Sequence, residues 1–274
     1  MMNYTGYLQL STEKKRGKTI AQDMYFYGAF KLMSPFYLNN DEQACFYIMN
    51  PGGGYVDGDT YRMDIQLDKE AQLLLTTQSA SKIYKTPKNP VIQEINITLK
   101  EGSLLEYLPD PIIGYKNSRY KQKTIVHMEK GTSLIATDII TSGWDPKGNL
   151  FSYQMLDLNT KVYLDDNLIL LDHIRLTPDI QTLSGIGHFE EYSHLGTMIV
   201  VSEYTDESLI SMLYDLLENQ NLKCRFGLSM LSKPGFMLRI LASSTQEVTR
   251  AFDVCHKLIR MKWFKRSPVF LGKY

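Results

Sequence analysis

This chain of 274 residues lacks most of the devices by which a sequence announces its chemistry. Its three cysteines, Cys45, Cys224 and Cys255, are odd in number and far apart, so neither a disulfide framework nor a CxxC metal clamp is encoded. All three read as core residues in a reducing compartment. The five histidines show no HxH or HExxH spacing, and no serine sits in a G-x-S-x-G elbow, so no stable metal site and no nucleophilic triad can be assigned. Charge of one sign is also missing: thirty basic residues balance thirty acidic ones, which argues against a surface built for nucleic acid. A neutral chain with 43% hydrophobic residues tends to self-associate, which points to a protein that works in complex with a partner. No apolar run reaches the roughly 18 residues of a membrane span, and Met1-Met2-Asn3-Tyr4 leads to the charged Glu13-Lys14-Lys15-Arg16 without an apolar signal-peptide core. The expectation is a soluble, cytoplasmic protein with no membrane and no nucleic-acid partner.

Helical periodicity is scarce up to about Val201, where short β-like runs follow one another between turn signals. Ile95, Ile97 and Leu99 alternate with Asn96, Thr98 and Lys100, and Glu101-Gly102 turns the chain into Ser103–Leu108, a hairpin or a solenoid corner. Similar units run through Gln72–Lys85, Lys123–Met128, Ser133–Ser142, Phe151–Leu158 and Leu168–Leu176. Sandwich, barrel and solenoid all fit, and no strict repeat singles out a regular β-helix. Two segments break the pattern. Asp206–Asn219 places Leu209, Leu213, Leu216 and Leu217 on one helical face, and Ser244-Thr245-Gln246-Glu247 is a capping box that opens a second helix carrying Val248, Ala251, Phe252, Cys255 and Ile259. The expectation is a mainly β, single domain over 1–274, with a β body (1–201) and a β-α-β-β-α C-terminal part (202–274) that contains both helices.

The densest local signal is Asn50–Asp59, with four glycines and two carboxylates between β-rich segments. Glycine permits positive φ and close backbone approach, so the run marks a tight turn or a crowded crossing, with Asp57 and Asp59 at its exit. A phosphate cradle does not fit: Asp59 stands where a Walker lysine would be, and Thr60–Leu67 reads as a strand rather than a helix. Asp138 and Asp172 are carboxylates inside apolar strands, which is costly unless the charge is paired, hydrated or functional; strand alternation could equally point them to solvent. Thr76–Lys82 is polar enough to be an edge strand with Lys82 as gatekeeper. His188, Glu190, Glu191 and His194 gather possible ligands for nickel or zinc in one stretch, with His188 and His194 as weak candidates, although the stretch reads first as an ordinary polar loop.

Taken together, Gly52-Gly53 with Gly58-Asp59, then Leu75-Thr76-Thr77-Gln78-Ser79-Ala80-Ser81-Lys82-Ile83-Tyr84, then Leu105-Glu106-Tyr107-Leu108-Pro109-Asp110-Pro111, resemble in order and spacing the urease accessory protein D family, called H in some bacteria. Ala136-Thr137-Asp138 and Gly235–Ser244 look like its later landmarks, so the resemblance covers nearly the whole chain. It departs after Gly143, where the family carries an Arg and then a Gly-Glu pair and this chain has Trp144-Asp145-Pro146-Lys147-Gly148-Asn149. No role of that acid carries over to Asn149.

The resemblance implies a helical-sandwich-like β fold and a non-enzymatic scaffold for urease maturation. It would bind the urease apoprotein, recruit accessory protein F and the GTPase G, and help deliver nickel through a water-filled internal passage. Nickel would be a transient Ni²⁺ cargo, with no tightly bound cofactor. Such a passage needs isolated oxygen ligands that admit a dication and still release it. Asp59, Asp138 and Asp172 occupy the matching positions, with Thr77, Ser81 and Glu106 as lesser candidates and Gly52, Gly53, Gly58, Lys82, Tyr84 and Pro109 as structural motif residues. Asp59 reads equally as a turn residue bonded to its own backbone. The alternative is a carbohydrate-active or other hydrolytic β enzyme with paired carboxylates such as Asp57 and Asp59, which needs acids about 5–10 Å apart across a cleft.

Overall fold

A computed structural model describes residues 4–38, 42–269 and 271. The chain opens with a hairpin, β1 (Gly6–Lys15) and β2 (Lys18–Gly28), and a short β3 (Lys31–Leu32). It continues through β4 (Ala44–Met49), β5 (Thr60–Leu67), β6 (Gln72–Thr77), β7 (Ser81–Ile83), β8 (Val91–Leu99), β9 (Leu104–Leu108), β10 (Ile112–Gly114), β11 (Arg119–Met128), β12 (Ser133–Ile140) and β13 (Met155–Leu164). The hairpin partner β14 (Asn167–Leu176) follows, then β15 (His194–Val201), α1 (Glu207–Glu218), β16 (Cys224–Met230), β17 (Gly235–Ala242) and α2 (Thr245–Trp263).

The long strands alternate between two sheets, ordered β14-β13-β11-β8-β5-β1-β2 and β16-β17-β15-β12-β9-β6-β4-β3. β1, β5, β8, β11 and β13 are parallel neighbours in the first sheet, and β4, β6, β9 and β12 in the second. Parallel neighbours require a crossover, and here each crossover is a strand of the opposite sheet rather than a helix. The body is therefore a β-solenoid. Its repeat is geometric: Asp64 on β5 accepts from Asn96 on β8, 32 residues on, and Lys116 meets Asp145, 29 residues on. Because the winding conserves alternation and corner position rather than particular residues, the sequence shows no recurring motif.

The corners differ at the two ends. Where the first sheet hands over to the second the turns are tight, and they stack: Glu70 N donates to Glu101 O at 3.0 Å, and Glu101 N donates to the Glu129 carboxylate at 2.9 Å. The return loops at the other end are longer and hold β7 and β10, which pair with each other. Thr76 and Thr77 close β6, an interior strand between β4 and β9, so the edge-strand expectation is corrected for that part of Thr76–Lys82; Lys82 lies on β7, which joins the same sheet as a side branch through β10. The expected strand at Phe151–Leu158 begins only at Met155, because Phe151 sits at φ 54° in a loop.

Two apolar layers result. One fills the interior between the sheets, including Leu8, Met63, Leu73, Ile97, Leu105 and Val162; the other lies between the second sheet and the helices, including Ile135, Val200, Leu238, Leu213, Val248 and Cys255. The helices form where the caps place them: Asp206 accepts from Leu209 N, and Ser244 accepts from Glu247 N. Cys45 and Cys255 are buried and Cys224 is half-buried.

Candidate functional site

Interior positions on the strands of a two-sheet solenoid are expected to be apolar, and a short series of them is not. β8 turns Val91, Ile95, Ile97 and Leu99 inward with Gln93 in phase, and β11 turns Tyr120, Val126 and Met128 inward with Gln122 and Thr124 in phase. The Tyr120 hydroxyl donates to Gln93 Oε1 at 2.8 Å, with Gln122 Oε1 at 2.9 Å, and Gln122 donates onward to the Asp138 carboxylate. These groups form a continuous polar line through the apolar interior.

Two small cavities follow the line. The first, about 50 Å³, is lined by the Gly53–Tyr55 loop, Thr77, Ser81, Lys82, Pro109, Asp110, Gln93, Gln122 and Asp138. The second, about 20 Å³, is lined by Thr124, Asp138, Thr160 and Thr197 among apolar neighbours. Asp138 and Tyr107 border both. A void of about 10–15 Å³ holds one water, so the first has room for several and the second for one. Asp138 is only half-buried by surface accessibility although protein surrounds it, because the accessible surface it keeps faces these cavities. Burial pushes its carboxyl up to about 7; the Asp172 charge adds to that, while the Gln122 hydrogen bond and the Arg239 charge oppose it.

Strand register explains how Asp172 and Arg239 come to act there. Across the second sheet Asp138 is paired with Thr197, and Thr197 with Arg239. Across the first, Thr124 is paired with Thr160, and Thr160 with Asp172. Directly paired residues share a face, so two polar rows look at each other across the second cavity. Arg239 joins them at the open edge, donating to the Asp172 carboxylate and, at 2.6 Å, to Thr197 Oγ1.

The mouth of the first cavity is the glycine-rich loop. Tyr55 N donates to Lys82 O, and Tyr84 N donates to Tyr55 O, both at 2.8 Å, which ties the loop to β7. The close approach falls at Gly54, where a Cβ would lie 2.7 Å from Lys82 O. Gly53 and Gly58 supply positive φ, at 75° and 76°, as their place in the turn requires. Thr77 Oγ1 donates to Asp110 Oδ2 at 2.8 Å and so fixes that carboxylate beside the cavity.

Of the residues that the sequence nominates, Asp138, Thr77 and Ser81 line the first cavity, with Gly53, Lys82 and Pro109. Asp172 stands at the far edge of the facing rows. Asp59 closes the turn: its carboxylate accepts from Val56 N and from the Tyr61 hydroxyl, each at 2.8 Å. Asp57 is held likewise by Lys88 N at 2.8 Å and Asn89 N at 2.9 Å. Glu106 faces the helices rather than the cavities, because Tyr107 takes the inward position on β9; it lies 2.8 Å from His256 Nε2 and 2.6 Å from Arg260 Nη1, both on α2. His188 is exposed in a loop, and His194 Nδ1 lies 2.9 Å from Ser193 Oγ, while Glu190 pairs with Arg225. Among the described residues no group of three or more His, Cys, Asp or Glu side chains could hold a metal ion. Where the chain departs from the family pattern, Asn149 Nδ2 donates to Asp145 Oδ2 at 2.6 Å and closes a turn. Sequence reasoning missed Gln93, Asp110, Gln122, Thr124, Thr160, Thr197 and Arg239. Except for Asp110, which lies in the loop between β9 and β10, their signal was a polar residue in phase with inward apolar neighbours.

Comparison with known proteins agrees with this geometry in covering the whole of it. The family model described as UreD urease accessory protein matches residues 4–271. A urease accessory protein UreD of Lachnoclostridium phytofermentans is 93% identical over 274 residues, spanning 100% of both chains. Those of Bacillus sp. (strain TB-90) and Bacillus cereus are 43% and 39% identical, again across 100% of each chain. The chain belongs to the UreD urease accessory protein family.

Proposed function

We propose that the chain is a scaffold of urease maturation that docks on the urease apoprotein, recruits accessory protein F and the GTPase G, and passes nickel through the polar line between its sheets. The observation that carries the nickel step is Asp138, a carboxylate that lines two neighbouring cavities inside an apolar core. A dication needs an oxygen ligand at intervals, yet few enough at each step to leave again. Asp138 meets both demands. Its carboxyl lies near neutrality, so an arriving Ni²⁺ displaces a weakly held proton, and Gln122 is placed to receive the released carboxylate as the ion moves on. Thr77, Ser81 and Asp110 supply neutral and anionic oxygens toward the mouth.

The family membership supports the partners, and no nucleic acid or membrane enters the reading; no helix among the described residues is long and apolar enough to cross a membrane. The rival reading of Asp57 and Asp59 as paired hydrolytic acids loses its geometric support, since Val56 N and the Tyr61 hydroxyl bond Asp59 while the Lys88 and Asn89 amides of a neighbouring loop bond Asp57. The test is Asp138→Asn in cells that express urease with its accessory proteins. Co-purification of the complex is expected to persist while urease activation falls about tenfold or more; loss of assembly would sink the reading of Asp138 as a nickel contact.

A further inference from the structure

We infer that Arg239 is a tethered cation that sets how long a divalent ion stays beside Asp138, and this rests on the passage reading above. The row Asp138, Thr197, Arg239 faces the row Thr124, Thr160, Asp172, so two carboxylates look into the same polar space. Two carboxylates with threonine oxygens between them would retain a borderline dication. The guanidinium prevents that. It pairs with Asp172 and donates to Thr197, and its charge also acts on Asp138. The rows therefore hold two carboxyl groups and one fixed cation, and because Arg239 is paired with Asp172, Asp138 is the one left for a passing ion.

The placement suits the role. Asp172 keeps 14% of its side-chain surface exposed and Arg239 32%, so the pair is partly open to solvent, with Asp172 on the edge strand β14 of the first sheet and Arg239 on β17, next to the edge strand of the second. Arg is suited to it because its charge is permanent and its planar fork bonds two partners at once, whereas a lysine bonds as a point charge. Arg239 touches no nickel in this scheme; it is a positioning residue that acts through Asp172 and Asp138.

Opposite changes of charge balance give opposite nickel occupancies, and that tests the proposal. The full-length protein is purified as wild type, Arg239→Gln and Asp172→Asn, dialysed against nickel(II) alone, and its bound metal is measured by mass spectrometry; the same variants are scored for urease activation in cells. Arg239→Gln is expected to retain one Ni²⁺ per chain at least tenfold more tightly than wild type, and Asp138→Asn added to it removes that gain. Asp172→Asn, which leaves the guanidinium facing Asp138 alone, is expected to retain no nickel. Both single variants lower activation. A folded Arg239→Gln that binds nickel no better than wild type overturns the inference, as does a gain that survives Asp138→Asn. Should Arg239→Gln fail to fold, nickel retention by Asp172→Asn overturns it and absence of retention with lowered activation supports it. Retention by Arg239→Gln with undiminished activation in both variants overturns the passage and leaves the charge balance standing.

Discussion

Glu106 and Asp138 stand on the neighbouring parallel strands β9 and β12 of one sheet, and they sit on its opposite faces. Glu106 faces the helices. There the Arg260 guanidinium, the His256 imidazole and the Gln43 amide surround it, and against the upward push of burial these partners hold its carboxyl well below the usual carboxylate range. Asp138 faces the cavities, where Gln122 is its hydrogen-bond partner and burial dominates. The same sheet thus carries a carboxylate held by three side chains, which fastens α2 to the solenoid, and one with Gln122 as its hydrogen-bond partner that borders two cavities. Both acids are enclosed by protein, so enclosure alone does not separate them. The supply of donors does.

The largest expected effect breaks the satisfied side. Glu106→Ala leaves the Arg260 charge buried on α2 without its carboxylate counter-charge, at a cost of about 3–5 kcal/mol. Chemical denaturation of the purified chain measures it, and a loss under about 1 kcal/mol would show that the helix is held by its apolar face alone. The next effect has the opposite sign. Asp138 is protonated in the fold up to about 7 and ionises near 3.8 in the unfolded chain, so its contribution is fully present below pH 3.8 and is lost as pH rises through 7. Asp138→Asn is therefore expected to stabilise the protein on the order of 2 kcal/mol at pH 8 and to change little at pH 4. Glu106 runs the other way: its folded value is depressed, so its contribution is present above pH 4.5 and is lost as pH falls through the folded value. Thermal melts of the two variants across pH 3–8 separate the two faces, and parallel pH profiles would contradict the distinction.

The smallest effect concerns Asp59, an acid of a third kind. It is half-exposed and bonded within its own turn, so Asp59→Ala is expected to cost about 1 kcal/mol and to loosen the loop tied to β7. Hydrogen exchange at Tyr55 and Tyr84, whose amides cross between loop and strand, reads that loosening. Unchanged exchange would show that the carboxylate is not what closes the turn.

Much of this was legible in the sequence, and the reasons are local. Caps, alternation and glycine turns are short-range features, so both helices, the corner at Glu101-Gly102 and the crowded loop at Gly52–Gly58 could be read from neighbours in the chain. Asp138 was legible as an anomaly, a charge in an apolar strand. What was not legible was which face it took and what it met there, because Gln122 and Thr197 come from other strands whose register only the winding fixes. Glu106 illustrates the same limit in reverse: its motif position suggested the passage, while its basic partners lie on α2, 150 and 154 residues further along the chain. Arg239 looked like an ordinary polar residue in an alternating strand, and only the pairing of β17 with β15 sets it in the row with Asp138.

The most direct test of the difference between the two faces is the nickel content of urease matured with Asp138→Asn against that matured with Glu106→Gln, at matched amounts of assembled complex. The account predicts that Asp138→Asn complexes deliver about a tenth of the wild-type nickel or less, while whatever complex Glu106→Gln still forms delivers nickel normally. Normal nickel delivery through Asp138→Asn would contradict it.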